Sequence, residues 1–383
     1  MTHLFPNYGR DTIDLVKGEA SYVYDQTGKQ YLDLTSGIGV TSLGHQHPKV
    51  TAAVTEQINQ IWHTSNLYFS QLQEEVAEKL AQDKDYVSFF CNSGAEANEA
   101  ALKLARKATG RSKIISFNQG FHGRTYGSMS ATAQEKIQAG FGPMVPDFIY
   151  LPYNDLENFE AALDDDVAAV ILELIQGEGG VLPADEKFVK GLVEKAHANG
   201  TLVIIDEVQT GIGRTGTFYC HQGYGIEPDI FTLAKALGNG LPIGAMLGKA
   251  EFATTFGPGS HGTTFGGNKL ALSAANIVID TISEPDFLAE INKKSQQFFE
   301  QLNDLTELSM IKKIRGQGLM IGIQFDNDKP LNFVLNELKE QGVLALKAGN
   351  HVLRLLPPLT ISTAEITQAA TAIKTACKKI IEK

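Results

Sequence analysis

The sequence predicts an α/β protein, with a mostly parallel sheet between helices followed by a smaller mixed α+β region. Three observations carry this. Short apolar runs rich in β-branched residues recur at 168–172, 201–205 and 230–234, as expected of strands buried on both faces. Stretches with helical spacing of apolar residues alternate with them, which is the β-α-β order of a parallel sheet. From about Ile311 the pattern changes to shorter strands of alternating polarity and a final capped helix.

At 383 residues the chain is long enough for one large and one smaller domain, each with its own core. Apolar residues are 43% and charged residues 20% of the total, ordinary for a globular protein. The net charge of −11, with no basic run longer than a pair, argues against nucleic acid and anionic membrane surfaces as partners. The three cysteines, Cys91, Cys220 and Cys377, have unrelated spacings, which predicts neither a disulfide framework nor a metal site and points to a reducing compartment. The first residues lack the basic start and apolar core of a signal peptide, and the longest apolar stretch, 167–175, is broken by Glu173 and too short to span a bilayer. A cytoplasmic location is expected.

Along the chain, residues 1–50 read as an arm with small strands, including a hairpin of Tyr22–Tyr24 and Tyr31–Leu34 around the turn 25–28. His45 and His47 precede Pro48 with no third ligand nearby, so the segment reads as a turn into a helix rather than a metal site. Helices follow with Val50, Val54, Ile58 and Ile61 on one face and then Leu72, Val76 and Leu80. Strands are expected at 87–91 and 113–117, and a helix at 186–199 stopped by Gly200. The segment 211–216 matches G-x-G-x-x-G, but the residues after it, 217–228, show no helical period, so a dinucleotide site is rejected. The strand 243–248 follows after only a short turn and is expected to run antiparallel. A glycine-rich loop at 256–267 leads to helices at 269–282 and beyond. The last part has half-buried strands at 319–325, 343–346 and 351–356, and a capping box at Ser362–Glu365 opens a helix with Ile366, Ala370, Ile373 and Cys377 on one face.

Candidate chemistry sits at predicted strand ends. Asp206 closes one apolar run and Lys235 the next, so both should reach the crevice at the carboxyl edge of the sheet. The pair suits pyridoxal phosphate, with Lys235 as the amine that takes its aldehyde and Asp206 under the ring nitrogen. A structural ion pair fits these two residues equally well. Ser93, Gly94 and Ala95 lie between a strand and an alanine-rich helix, where unpaired N–H groups form an anion cradle. An N-capping serine on a packed helix explains the same residues. Phe121, next to His122, could stack on a planar ring, and Arg124 could clamp a carboxylate. Without a ligand, Phe121 is as readily a core residue and Arg124 a surface one. Glu178 is held between glycines in a loop, and Arg354 lies inside a strand, where it must face solvent or meet a carboxylate.

Together these signals ask for one coenzyme. The motifs Asn92-Ser-Gly-Ala-Glu-Ala-Asn-Glu99, Phe121-His-Gly-Arg124, Asp206-Glu-Val-Gln-Thr-Gly211, Thr232-Leu-Ala-Lys235 and His261-Gly-Thr-Thr-Phe-Gly-Gly-Asn268 resemble those of the class III, fold-type I pyridoxal-phosphate aminotransferases, and the likeness runs over essentially the whole chain. The resemblance implies a mostly parallel seven-stranded sheet in a large coenzyme domain at 51–305, with a small α+β domain formed by both termini, 1–50 and 306–383. It implies that Lys235 carries the coenzyme, Asp206 pairs with its ring nitrogen, Gln209 bonds its phenolic oxygen, Phe121 stacks on its ring, and His122 is also among the coenzyme-binding residues. Ser93, Gly94 and Ala95 would hold the phosphate. Ala95 departs from the threonine many relatives carry, which removes one phosphate hydroxyl. Thr264 would reach the phosphate in the neighbouring subunit, making a homodimer part of the site. Arg124 would bind the far carboxylate of the substrate and Arg354 the near one, with Glu178 pairing to Arg354 and releasing it. Tyr8 would lie near the substrate entrance. The implied reaction moves the terminal amine of N2-acetyl-L-ornithine to 2-oxoglutarate. Ornithine, succinylornithine or 4-aminobutyrate are alternative donors, and a coenzyme-binding sensor without turnover is the alternative from another class.

Overall fold

A seven-stranded sheet stands at the centre of the computed structural model, which describes residues 3–381. In chain order its strands are β1 (Tyr86–Cys91), β2 (Lys113–Phe117), β3 (Phe148–Leu151), β4 (Val167–Leu172), β5 (Leu202–Asp206), β6 (Ile230–Leu233) and β7 (Gly244–Lys249). Across the sheet they lie β1-β7-β6-β5-β4-β2-β3. The central pairs are parallel, whereas β7 is antiparallel to both β6 and β1, as its short connection requires. Because β7 reverses direction, β1 on its far side again points with the parallel set. The carboxyl ends of β1, β2, β4, β5 and β6 therefore share one edge.

The local sequence explains the layers. Every residue of β4 is buried, which suits an unbroken apolar run between two helical layers. The helix Gly94–Thr109 lies on one face, burying Ala97, Ala100, Ala101 and Ala105, small residues that allow close approach to the sheet. Ser93 caps its start and Gly110, at φ 69°, ends it. Elsewhere the helix Lys269–Ile282 packs on the helices Pro48–Ile58 and Gln71–Ala81.

Two four-stranded sheets and a two-stranded ribbon, Ile175–Gln176 with Leu182–Pro183, complete the described residues. The predicted hairpin forms from Tyr22–Asp25 and Gln30–Asp33, and the strand Val343–Leu344 joins it in parallel, so both ends of the chain share a sheet. The other small sheet contains Ile311–Gln317, Met320–Phe325, Val352–Leu355 and Leu346–Ala348 in that order. The helix Thr363–Ile381 packs against Asp328–Glu340 and Pro285–Leu302. Its capping box is present as Ser362 N–H to Glu365 and Glu365 N–H to the Ser362 hydroxyl.

The structure corrects four expectations. The helix expected to reach Ile61 ends at Ile58, with Ile61 exposed beyond it. The single strand expected at 343–346 is divided at Ala345 between the two small sheets. The half-buried alternation fails for Met320–Phe325, buried at every residue but Gln324, and for Val352–Leu355, all four residues of which are buried. The helix Asp328–Glu340 packs on this strand, and Val352 also lies against Gly180 of the loop after β4. Residues 217–228 contain a five-residue helix, Cys220–Tyr224, too short to show a period. No expectation covered one further feature: Ser36, Gly37, Ile38 and Gly39 form a turn of left-handed residues at φ 47°, 62°, 69° and 73°. A β-branched residue is strained there. The turn is held by Asp33, whose Oδ1 accepts from the N–H groups of Thr35 and Ser36 and from the Thr35 hydroxyl.

Candidate active site

A cavity of about 400 Å³ opens at the shared carboxyl edge of the sheet, a size suited to a small ligand. Five strand ends contribute to its lining. Ser93, Gly94 and Ala95 follow β1, while Phe121, His122 and Arg124 follow β2. Glu173 and Glu178 follow β4, Asp206 ends β5 with Val208 and Gln209 after it, and Lys235 follows β6. The sequence placed all but Glu173 and Val208 among its candidates.

Asp206 is buried and held from three sides. Its Oδ2 accepts from Asn98 Nδ2 at 2.8 Å and from His122 Nδ1 at 2.8 Å, and its Oδ1 accepts from the Val208 N–H at 3.0 Å. Asn98 is fixed in turn, because its Oδ1 accepts from the Thr232 hydroxyl and its amide also donates to the His122 carbonyl. His122 thus meets Asp206 directly and acts as its neighbour in the network. A carboxylate so fixed can hold a proton on a ring nitrogen placed against it.

Lys235 opens a short 3₁₀ turn, Lys235–Gly238, and adopts φ 44°, a conformation uncommon for a side chain this long. Its ammonium is destabilised chiefly by burial, with Glu178 opposing and Arg354 adding to the effect, so its pKa lies below the ordinary lysine value. A depressed lysine keeps more free amine near neutrality, as an amine nucleophile needs.

The cradle after β1 is shaped by absent side-chain volume. A Cβ on Gly94 would stand 2.7 Å from both Val208 methyl carbons, so only glycine lets the helix start so close to the β5 loop. Ser93 Oγ accepts from the Glu96 N–H at 3.2 Å and so serves as the N-cap, leaving its O–H free to donate outward. Phe121 is half-buried at the cavity, with the Arg124 guanidinium 5.8 Å from its ring centre and exposed at the rim. Arg354 has the carboxylate partner its strand position demanded. Its Nη1 donates to Glu178 Oε1 at 2.5 Å and to Gln209 Oε1 at 3.2 Å, with Arg354 buried and Glu178 one-third exposed.

Two predicted residues stand apart from this cavity in the single chain. Tyr8 is 71% exposed and is not part of the lining. Thr264 is exposed and lines a different depression with His63, Asn66 and His261. Three residues escaped the sequence reading as site residues. Asn98 carried a signal, being an amide inside an alanine-rich helix. Glu173 carried the same signal as Asp206, an acid directly after a buried strand. Val208 carried none.

The lining meets the demands of pyridoxal phosphate. It offers a depressed amine, a buried carboxylate, an aromatic face and a cradle that a single Cβ would fill. Together with the sheet order, this defines a fold-type I pyridoxal-phosphate enzyme. Residues 6–377 match the family model of the class-III aminotransferases. The acetylornithine aminotransferase of Listeria monocytogenes serotype 4b is 57% identical over 98% of this chain and 97% of its own. A solved N-acetylornithine aminotransferase from Stenotrophomonas maltophilia superposes with a TM-score of 0.84 at 35% identity, covering 98% of both chains. An ornithine aminotransferase from Toxoplasma gondii, with partial occupancy of PLP at its active site, reaches a TM-score of 0.95 at 33% identity over 99% of this chain and 93% of that one. The chain belongs to the class-III aminotransferases, and pyridoxal phosphate is its cofactor.

Proposed function

We propose that the chain transfers the terminal amino group of N2-acetyl-L-ornithine to 2-oxoglutarate, giving N-acetyl-L-glutamate 5-semialdehyde and L-glutamate, a step of arginine biosynthesis. Relatives of that name matching nearly the full chain support the reaction. The observation that carries the donor class is the Glu178–Arg354 bridge. The reacting carbon of acetylornithine bears no carboxylate, so an unpaired Arg354 would be a buried charge beside an apolar chain. With Glu178 on Arg354, that charge is neutralised. When glutamate or 2-oxoglutarate enters, its carboxylate takes the place of Glu178.

The residues divide the work. Lys235 would hold the coenzyme, Asp206 would keep a proton on its ring nitrogen, Gln209 would bond its phenolic oxygen, and Phe121 would cover its ring, with His122 steadying Asp206. Ser93, Gly94 and Ala95 would hold its phosphate. When bound, pyridoxal phosphate supplies an electron sink for the charge left as a carbon proton departs. The freed Lys235 amine moves that proton as general base and then acid. Arg124, at the rim, binds the far carboxylate of either substrate through a two-pronged contact, and Tyr8 would serve the substrate entrance. Thr264 serves the neighbouring site of a homodimer. On this reading the chain comprises a large coenzyme domain at 51–305 and a small one assigned to 1–50 and 306–383. The described residues contain no helix long and apolar enough to cross a membrane, and the low cysteine content favours the cytoplasm.

A panel of acetylornithine, succinylornithine, ornithine and 4-aminobutyrate with 2-oxoglutarate tests the donor. Ornithine is the second reading, favoured by the close superposition on the ornithine aminotransferase. Higher kcat/KM for ornithine than for acetylornithine would replace the first reading, and the absence of turnover with all four would favour a sensor.

A further inference from the structure

We propose that Glu173 is a positioning residue whose carboxylate ties together the two loops presenting Phe121 and Glu178 to the substrate. It uses the site assignment above only in taking those two side chains to face the ligand. Glu173 follows β4 directly and is 6% exposed. Its Oε1 accepts from the Phe121 N–H at 2.9 Å, and its Oε2 accepts from the Gly177 N–H at 3.0 Å. One oxygen thus serves each loop, and Gly177 immediately precedes Glu178. The main chain of Glu173 is itself fixed, because the Tyr153 hydroxyl donates to its carbonyl at 2.6 Å.

The choice of residue type supports the role. A carboxylate is the side chain of this size with two acceptors and no donor. Burying it is unfavourable, and an apolar side chain would fill the space at lower cost. Burial pushes the Glu173 carboxyl up to about 7, with Asp206 adding to the rise, while His122 and the two N–H groups draw it down. The acid is therefore retained against its desolvation penalty, with both oxygens aimed at main-chain donors. Gln176 adds a second link between the loops, from Nε2 to the Asn118 carbonyl at 3.0 Å. That bond reaches the start of the β2 loop and leaves the Phe121 N–H to Glu173.

Glu173→Gln tests this with little change of shape. Its amide offers one acceptor, so one N–H would face an NH₂ group. Amide exchange by mass spectrometry, on enzyme with and without coenzyme, should show segments 118–125 and 174–181 both exchanging about tenfold faster, with the sheet unchanged. The circular-dichroism band of bound coenzyme should fall, and KM for glutamate should rise more than kcat drops. Should the glutamine variant not fold, Glu173→Asp keeps both acceptors on a shorter stem and should protect one loop while releasing the other. Full protection of both loops in the folded variant overturns the proposal, as does loss of turnover without any change in exchange. Loosened loops in an enzyme that prefers ornithine would leave the proposal standing and remove only the donor assignment.

Discussion

On the roles proposed for Glu178 and Arg354, one pocket takes two different substrates, and single substitutions should separate the two half-reactions. Removing Glu178 leaves the buried guanidinium of Arg354 without its carboxylate partner. Glu178→Ala should therefore slow the half-reaction with acetylornithine and favour glutamate as donor. Arg354→Ala should cripple the glutamate half-reaction and largely spare the other. Loss of a charge-assisted contact costs about 1.5–3 kcal/mol, or roughly ten- to a hundredfold in kcat/KM. Stopped-flow absorbance of each half-reaction decides, and equal slowing of both by both variants would make the pair merely structural.

The same two residues tune Lys235. Burial holds its pKa below the ordinary lysine value, with Glu178 raising it and Arg354 lowering it. The free amine is the reactive form, so the rate at which coenzyme-free protein captures pyridoxal phosphate should rise with pH and level off above the depressed pKa. Glu178→Ala should move that midpoint down and Arg354→Ala should move it up. Identical midpoints in the three proteins would remove the electrostatic account. These residues were legible because each is a charge where the surrounding pattern demands an apolar or glycine residue. Val208 was not legible, since nothing local distinguishes an active-site valine from a core one.

At the scale of elements, the turn from β1 into the helix Gly94–Thr109 rests on one contact. Gly94→Ala would press a methyl onto Val208, a stiff β-branched side chain. The substitution should destabilise by about 1–3 kcal/mol and weaken coenzyme binding. Val208→Ala in the same chain should recover much of that stability, because the two changes share one contact. Urea unfolding of the single and double variants checks this, and simple additivity would show that the clash lies elsewhere. Elements of this central sheet could be read from sequence because a buried parallel strand leaves an unbroken apolar run, as in β4. The division at Ala345 could not. The run 343–348 carries no turn residue; its first half joins a sheet through Leu32, distant in sequence, and its second pairs with Val352–Arg354 just beyond it. The left-handed turn Ser36–Gly39 was hidden for a similar reason, since Ile38 is among the residue types least suited to it.

For the whole molecule, the surface indicates what covers it. Trp62, Leu67, Tyr68, Phe69 and Phe265 are all exposed, Leu67 at 92%. They lie on two loops joined by bonds from Asn66 Nδ2 to the Gly266 carbonyl and from Gln73 Nε2 to the Gly267 carbonyl. A linked apolar surface of this kind is a candidate interface, and Thr264 lies beside Phe265 in it, apart from its own chain's cavity. A second copy of the chain that buried this surface in a two-fold dimer would bring each Thr264 to the partner's coenzyme. The two functions can then be separated by mutation. Lys235→Ala removes the coenzyme's anchor from one chain's cavity. Thr264→Glu places a negative charge where the partner's phosphate would lie. Each homodimer should be inactive, because both of its sites are damaged. In a hybrid, both lesions fall on one site and the other is intact. Random mixing makes about half the dimers hybrid, each with one working site, so roughly a quarter of wild-type activity should return. Sedimentation should show the dimer at every mixing ratio. A mixture that stays inactive while forming hybrids would place Thr264 outside the neighbouring site, and an active monomer at high dilution would remove the shared site altogether.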